Sequence, residues 1–119
     1  MNILFICSRN IWRSPTAEVI YKDRQDINVR SAGTEPSARI KVTEKLIDWA
    51  DTIFVMEKKH KQRLKEKFPD NTTEKSIFIL DIPDEYKYMD EELIESIKIS
   101  VSPYLDHLAA MGHFKTTQH

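Results

Sequence analysis

Residues 3–15 have the sequence Ile3-Leu4-Phe5-Ile6-Cys7-Ser8-Arg9-Asn10-Ile11-Trp12-Arg13-Ser14-Pro15. The first four residues are uninterruptedly apolar, which is typical of a strand covered on both faces of a parallel sheet. Ser14 suits the N-cap of a helix, and Pro15 suits its first position, where a missing N–H costs nothing. We therefore predict a strand, a short loop that begins with Cys7, and a helix.

The same alternation of apolar runs and helical segments continues along the chain. Apolar runs at 53–56 and 77–80 predict two further covered strands, and the alternating run at 27–31 predicts an edge strand. Helices are expected from 14 to about 24, from about 40 to 49, from about 58 to 68, and from about 90 onward. This order predicts an α/β three-layer sandwich with a four-stranded parallel sheet in the flavodoxin-like order 2-1-3-4.

The last helical segment contains a proline, and its apolar pattern continues past it. Apolar residues keep steps of three and four at Ile94, Ile97, Val101, Tyr104 and Leu108. We therefore expect one kinked helix or two helices stacked in line across Pro103, with this stripe packed in the core. The tail from residue 112 to 119 is expected to be frayed.

Composition excludes several classes of function. The 119 residues suit a single domain over 1–119, and the net charge of −1 favours neither nucleic acid nor a membrane surface. The basic run at 58–67 is interpreted as a solvated face. Two glycines are too few for a Walker loop or a dinucleotide fingerprint, and no histidine has metal-ligand spacing with the single cysteine, so neither cofactor nor metal is expected. One cysteine suits a reducing cytosol, so we expect a cytoplasmic protein.

The predicted topology brings reactive side chains to one rim of the sheet. Ligands of such sheets bind outside the carboxyl ends of the strands, at the switch point beside strand 1. Cys7 directly follows strand 1, and Asp81 and Asp84 follow strand 4. The thiol and the two carboxylates are therefore expected on the same side of the fold.

The opening loop suits an anion and a nucleophilic thiolate. Backbone N–H groups of residues 8–12 and the helix N-terminus favour negative charge at Cys7. Arg13 can hold two phosphate oxygens, Ser14 can donate its hydroxyl to the sulfur, and Asn10 tolerates the left-handed conformation that such loops need. The Cys-x5-Arg spacing alone arises often by chance, and Cys7 could instead be an inert buried side chain. The prediction therefore depends on the strand before the loop and the helix after it.

Residues 7–18 resemble the signature of the low-molecular-weight protein tyrosine phosphatases, Cys-x-Gly-Asn-x-Cys-Arg-Ser-Pro-x-Ala-Glu. Ser31-Ala32-Gly33-Thr34 and Ala50-Asp51-Thr52-Ile53-Phe54-Val55-Met56 resemble two further family segments. The resemblance implies a metal-independent, cysteine-dependent phosphomonoester hydrolase that acts through a phosphocysteine intermediate.

The family's roles map onto individual residues of this chain. Its cysteine, arginine and serine match Cys7, Arg13 and Ser14, its loop asparagine matches Asn10, and Ser31 matches the partner of that asparagine behind the loop. The phosphate-binding loop is expected to comprise Ser8, Arg9, Asn10, Ile11, Trp12 and Arg13. The implied substrate is a phosphorylated protein, with phosphotyrosine first, or a small aryl phosphate, and inorganic phosphate is the product.

Three departures from the family pattern concern the mouth of the site. Arg9 replaces a loop glycine, Trp12 replaces a second cysteine, and the segment between Gly33 and Trp49 is shorter than usual. A shallower mouth is expected, with Trp12, Tyr86 or Tyr88 as a replacement wall. The alternative is a catalytically weak or inactive relative that binds phosphate or phosphoproteins.

A general acid is expected in the segment after strand 4. The family uses an aspartate in an Asp-Pro-aromatic loop there, and this chain has Asp81-Ile82-Pro83-Asp84-Glu85-Tyr86. We favour Asp84, because it lies two residues before an aromatic residue. Asp81 is the alternative, because it leaves the strand directly.

Overall fold

The computed structural model describes residues 1–117, and its side chains are described as far as residue 111. The elements are β1 (Asn2–Cys7), α1 (Arg13–Tyr21), β2 (Asn28–Gly33), α2 (Glu44–Trp49), β3 (Thr52–Val55), α3 (Lys58–Lys67), α4 (Pro69–Thr72), β4 (Ser76–Ile79) and α5 (Glu91–Thr117). None of the described helices is both long enough and apolar enough to span a membrane.

The strands form one parallel sheet in the order β2-β1-β3-β4, which confirms the predicted topology. Alternate side chains of β1 enter two separate cores. Ile3 and Phe5 pack on one face with α1 and α5, while Leu4 and Ile6 pack on the other face with α2 and α3. Because both faces are covered, β1 needs an uninterrupted apolar run.

Strand β4 is less buried than its sequence predicts. Ile77 is buried, but Phe78 and Ile79 are 39% and 37% exposed. The expectation of cover on both faces is wrong here, because β4 lies at the edge of the sheet. Phe78 is held on one side by Phe54 and Tyr104, with ring centroids 5.7 and 4.8 Å away. An apolar run therefore did not distinguish this edge strand from a central one.

Two helix starts differ from the prediction. Helix α1 begins at Arg13 after Trp12, so Ser14 is inside its first turn and is not the N-cap. The Ser14 hydroxyl instead lies 3.0 Å from Cys7 Sγ, which explains why it is not available to cap the helix. Helix α2 begins only at Glu44, where the Thr43 hydroxyl accepts the N–H of Leu46 at 3.2 Å.

Helix α5 continues through Pro103 as one helix. Its fully buried residues are Leu93, Ile97, Val101 and Leu105, four residues apart, and Tyr104 and Leu108 of the predicted stripe pack at the margin of the core. The expectation of a frayed tail from residue 112 stays a prediction, because it falls on residues whose side chains lie outside the described part of the chain. Residues 118–119 lie outside the described part.

Candidate active site

The loop between β1 and α1 curls around the Cys7 thiol. Asn10 has a φ of 56°, the left-handed conformation predicted for it. This turn aims its backbone N–H at Cys7 Sγ, at 3.2 Å, and Ser14 Oγ lies 3.0 Å from the same sulfur. Two hydrogen-bonding groups therefore meet at the thiol, which is only 3% exposed.

The side chain of Asn10 ties the loop to the strand behind it. Its Nδ2 donates to Ser14 Oγ at 2.8 Å and to Ser31 Oγ at 2.9 Å. Ser31 in turn donates to Glu18 Oε1 at 2.5 Å. Asn10, Ser14 and Ser31 are all buried, so this network fixes the loop from the protein side. Ser31 thus lies where the resemblance implies.

Gly33, at the end of β2, packs closely against the backbone of the loop at Ser8. A Cβ on Gly33 would lie 2.6 Å from the carbonyl oxygen of Ser8 and 2.7 Å from Ala38 Cβ, so this position requires glycine. The carbonyl oxygens of Ser8 and Arg9 accept N–H groups of Glu35 and Arg39 at 2.9 and 3.0 Å. The loop backbone is therefore held at the two residues that directly follow Cys7.

Arg13 is buried and oriented by groups from two other strand ends. Its Nη1 donates to Glu57 Oε1 after β3 and to the carbonyl oxygen of Ile82 after β4, both at 2.8 Å. Burial raises the pKa of Glu57, but the hydrogen bond and charge of Arg13 outweigh it, and the net shift is downward. The guanidinium is thus held by an ionised carboxylate while it lines the site.

The structure separates the two candidate acids. Asp84 Oδ1 lies 3.7 Å from Arg13 Nε and lines the cavity over the thiol. Asp81 has a φ of 57°, is exposed and is absent from the cavity wall. Only Asp84 is therefore placed near the sulfur, although its role stays a prediction.

The cavity is small, about 30 Å³. It is lined by Cys7, Ser8, Arg9, Ile11, Trp12, Arg13 and Asp84. All the loop residues expected at the phosphate line it except Asn10, whose N–H instead points at the sulfur. Arg9, which replaces a glycine, does not have a positive φ, so its backbone accepts a side chain without strain.

A wider open groove of about 550 Å³ adjoins the cavity and shares Ile11 and Trp12 with it. Tyr88 lines this groove, whereas Tyr86 is half-buried against the core. Of the three aromatic residues considered as a wall, Trp12 and Tyr88 are therefore the two beside the mouth.

Two residues of the site were missed by sequence reasoning. Glu57 holds Arg13, and His60 Nε2 lies 2.8 Å from Ser8 Oγ. Both follow β3 at the carboxyl edge of the sheet, and this position was the available signal. The sequence predicts His60 only as part of the solvated basic run at 58–67 and as a histidine without metal-ligand spacing, whereas the structure buries it. Over the described part of the chain, no cluster of three or more metal-ligating side chains is present.

A parallel flavodoxin-like sheet with a Cys-x5-Arg loop at its switch point defines the class of protein: an α/β domain with a cysteine-centred loop at the carboxyl edge of its sheet. Comparisons with known proteins narrow this class. Residues 2–46 match the family model described as low molecular weight phosphotyrosine protein phosphatase. The protein-arginine-phosphatase of Bacillus subtilis is 32% identical over 95 residues, with 57% of this chain and 63% of that protein covered.

Solved structures agree on the fold. A low molecular weight phosphotyrosine phosphatase from Vibrio cholerae O395 has a TM-score of 0.76 at 22% identity, covering 94% of this chain and 99% of that one. The tyrosine phosphatase Wzb from Escherichia coli K30, solved with phosphate, has a TM-score of 0.73 at 22% identity, covering 90% and 97%. The chain therefore has the fold of these low-molecular-weight phosphatases, and its first part resembles their family model.

Proposed function

We propose that this protein is a cysteine-dependent phosphatase that acts through a phosphocysteine intermediate. The observation that carries the proposal is the setting of Cys7 Sγ. It lies 3.0 Å from Ser14 Oγ and 3.2 Å from the N–H of Asn10, in a cavity shared with Arg13 and Asp84. These groups supply a nucleophile, anion-binding donors and a carboxyl group within one small site.

In the first step, the Cys7 thiolate attacks phosphorus while Asp84 is protonated, and the bond from phosphorus to the leaving oxygen breaks. Loop N–H groups and Arg13 hold the phosphoryl oxygens, where charge develops in the transition state. Asp84 gives its proton to the leaving oxygen. The dephosphorylated substrate departs and phosphate remains bonded to sulfur.

In the second step, a water molecule attacks phosphorus and Asp84 takes its proton. The bond from phosphorus to sulfur breaks, and inorganic phosphate is released. The Cys7 thiolate that leaves is stabilised by the Ser14 hydroxyl and the Asn10 N–H, which lie beside the sulfur before the reaction starts. Every proton and electron pair is accounted for by protein groups and water, without a metal ion.

The size of the cavity and the residues around it support our proposal for the substrate class. A cavity of about 30 Å³ holds little beyond a phosphoryl group, so the rest of the substrate lies against Ile11, Trp12 and the groove beyond. These apolar and aromatic surfaces suit an aryl group, and we propose phosphotyrosine in a protein, or a small aryl phosphate, as the substrate. The single free cysteine fits a site that acts in a reducing cytosol.

The decisive experiment measures release of inorganic phosphate from an aryl phosphate. The wild type should turn over without added metal and in the presence of a chelator, and Cys7→Ser should lose all turnover. Ser102→Ala is the matched control. The Ser102 hydroxyl forms a hydrogen bond with Tyr21 between α5 and α1, and Ser102 does not line the cavity. Residual turnover in Cys7→Ser would refute the mechanism.

The same assay separates the substrate classes. Phosphotyrosine and phosphoarginine peptides of matched sequence should be compared, because the B. subtilis relative is a protein-arginine-phosphatase. Preference for phosphoarginine would overturn the aryl assignment and leave the cysteine mechanism standing. Phosphate binding without hydrolysis of any ester or phosphoramidate would instead identify the chain as a phosphate-binding relative.

A further inference from the structure

His60 is a fully buried histidine with both ring nitrogens engaged. Its Nδ1 accepts the backbone N–H of Glu57 at 3.0 Å, and its Nε2 lies 2.8 Å from Ser8 Oγ. Because Nδ1 is an acceptor, the ring proton must lie on Nε2. His60 is therefore the donor in this pair, and Ser8 Oγ is the acceptor.

The surroundings of His60 keep the ring neutral. Burial, followed by the positive charge of Arg13, lowers the pKa of His60 to about 4. Lys59 and Arg63 act in the same direction, and only Glu57 opposes them. The donor therefore keeps one tautomer throughout the neutral range.

The hydrogen bond from His60 decides where the Ser8 hydroxyl proton can go. Ser8 lines the cavity beside Cys7 and Arg13, and its oxygen already accepts from the imidazole. Its own proton is then directed away from the ring, toward the cavity in which the phosphoryl group would bind. The backbone of Ser8 is held independently, since its carbonyl oxygen accepts from Glu35 N at 2.9 Å.

We propose that His60 is a positioning residue that turns the Ser8 hydroxyl into a side-chain donor to a bound phosphoryl oxygen. This inference rests on the proposed function, because it assigns a further phosphate contact within the same cavity. Two donors in the cavity are then oriented by the same short segment at the start of α3. Glu57 orients Arg13, and His60, three residues later, orients Ser8. The start of α3 thus sets two of the groups that meet the phosphate.

The test measures the affinity of the protein for inorganic phosphate by calorimetry, which requires no turnover. Ser8→Ala should weaken binding about tenfold, as expected for loss of one hydrogen bond to a charged group. His60→Leu should weaken it to a similar extent, and the double variant should be no weaker than His60→Leu alone. His60→Gln, which can keep a donor near the Nε2 position, should restore affinity to within about threefold of wild type.

Thermal unfolding of every variant separates positioning from a structural role. Ser102→Ala is again the matched control and should leave phosphate affinity unchanged. Unchanged affinity in Ser8→Ala, or additive losses in the double variant, would overturn the proposal. If His60→Leu does not fold, Ser8→Ala and His60→Gln still decide it.

This proposal and the proposed function can fail independently of each other. A wild type that binds phosphate through Ser8 without turning over any substrate would refute the function and retain this inference. A wild type that turns over while Ser8→Ala keeps full phosphate affinity would do the reverse.

Discussion

The two segments that form the site differ sharply in how they are held. In the loop after β1, Cys7, Asn10 and Ser14 are almost entirely buried and hydrogen-bonded to one another. In the segment after β4, Asp84 is 51% exposed. That segment is anchored at Ile82, whose N–H donates to the carbonyl oxygen of Met56 at 2.8 Å, and at Met89, whose N–H donates to Thr16 Oγ1 at 2.9 Å.

The difference matches the proposed tasks of the two segments. A phosphoryl group needs donors that do not reorganise during the reaction, and a buried loop held by internal hydrogen bonds provides them. A proton donor must reach leaving groups of different sizes, which an exposed segment with few anchors allows. Changes in the first segment should therefore affect both stability and activity, whereas changes in the second should affect activity alone.

Among the changes that test this difference between the two segments, the largest expected effect lies in the exposed segment. Asp84→Asn should lower kcat for a poor leaving group such as phenyl phosphate by about 10²- to 10³-fold, the usual contribution of a general acid. Its unfolding free energy should change by less than about 0.5 kcal/mol, because the pair with Arg13 is long and half-exposed. Steady-state kinetics and urea unfolding measure the two quantities.

Asp81→Asn is the matched control for this prediction. Asparagine tolerates the positive φ of Asp81, so the backbone is not disturbed. Its kcat should stay close to that of the wild type. Loss of activity in Asp81→Asn together with full activity in Asp84→Asn would reverse the assignment of the acid.

The second expected effect is a pH dependence of the free energy of unfolding, caused by His60 beside the buried loop. The pKa of His60 is about 4 in the folded protein and close to 6.5 when unfolded, so the unfolded chain takes up the proton first as the pH falls. The contribution is complete above pH 6.5 and is lost toward pH 4, by about 3 kcal/mol in all. We expect the stability advantage of wild type over His60→Gln to shrink by that amount across this window.

This difference is measured by urea unfolding of both proteins from pH 7 to pH 4. Taking the difference between the two proteins cancels the contribution of the carboxylates that titrate in both, Glu57 among them. An advantage that stays constant over the window would show that His60 is not held neutral by its surroundings.

The smallest effect tests the close contact beneath the loop. Gly33→Ala should destabilise the protein by about 1–3 kcal/mol, because its Cβ would meet the backbone oxygen of Ser8 at 2.6 Å. Phosphate affinity should fall with it, since the displaced Ser8 lines the cavity. Adding Ala38→Gly should recover only part of the loss, because it relieves the contact with Ala38 and leaves the one with Ser8. Wild-type stability in Gly33→Ala would contradict the role given to this contact.

Much of the fold followed from patterns that act locally. Apolar runs separated by helical periods predicted the strands and their order, because a parallel sheet covered on both faces needs both signals together. The residues from Cys7 to Ser14 predicted a short loop between a strand and a helix, and the structure has this loop, because these residues are neighbours in the chain. Asn10 was also expected in the left-handed conformation that the structure shows.

Long-range packing decided the features that local patterns missed. Ser14 was expected to cap α1, yet its hydroxyl lies beside Cys7 Sγ, a contact that exists only once β1 and α1 are brought together. The exposure of Phe78 and Ile79 goes with the position of β4 at the edge of the sheet, and no property of residues 76–79 reveals that position. The path of the chain beyond β4 decided which of the two candidate acids lines the cavity, and it is Asp84 rather than Asp81.

By itself, the sequence determined the class of fold and the identity of the thiol loop, since both arise from residues close together in the chain. Only the tertiary structure showed that Glu57 holds Arg13 and that His60 holds Ser8. These partners lie 44 and 52 residues apart. They meet because parallel strands bring their carboxyl ends to one edge of the sheet. Burial excludes water there, so each side chain is oriented by the hydrogen bond to its protein partner.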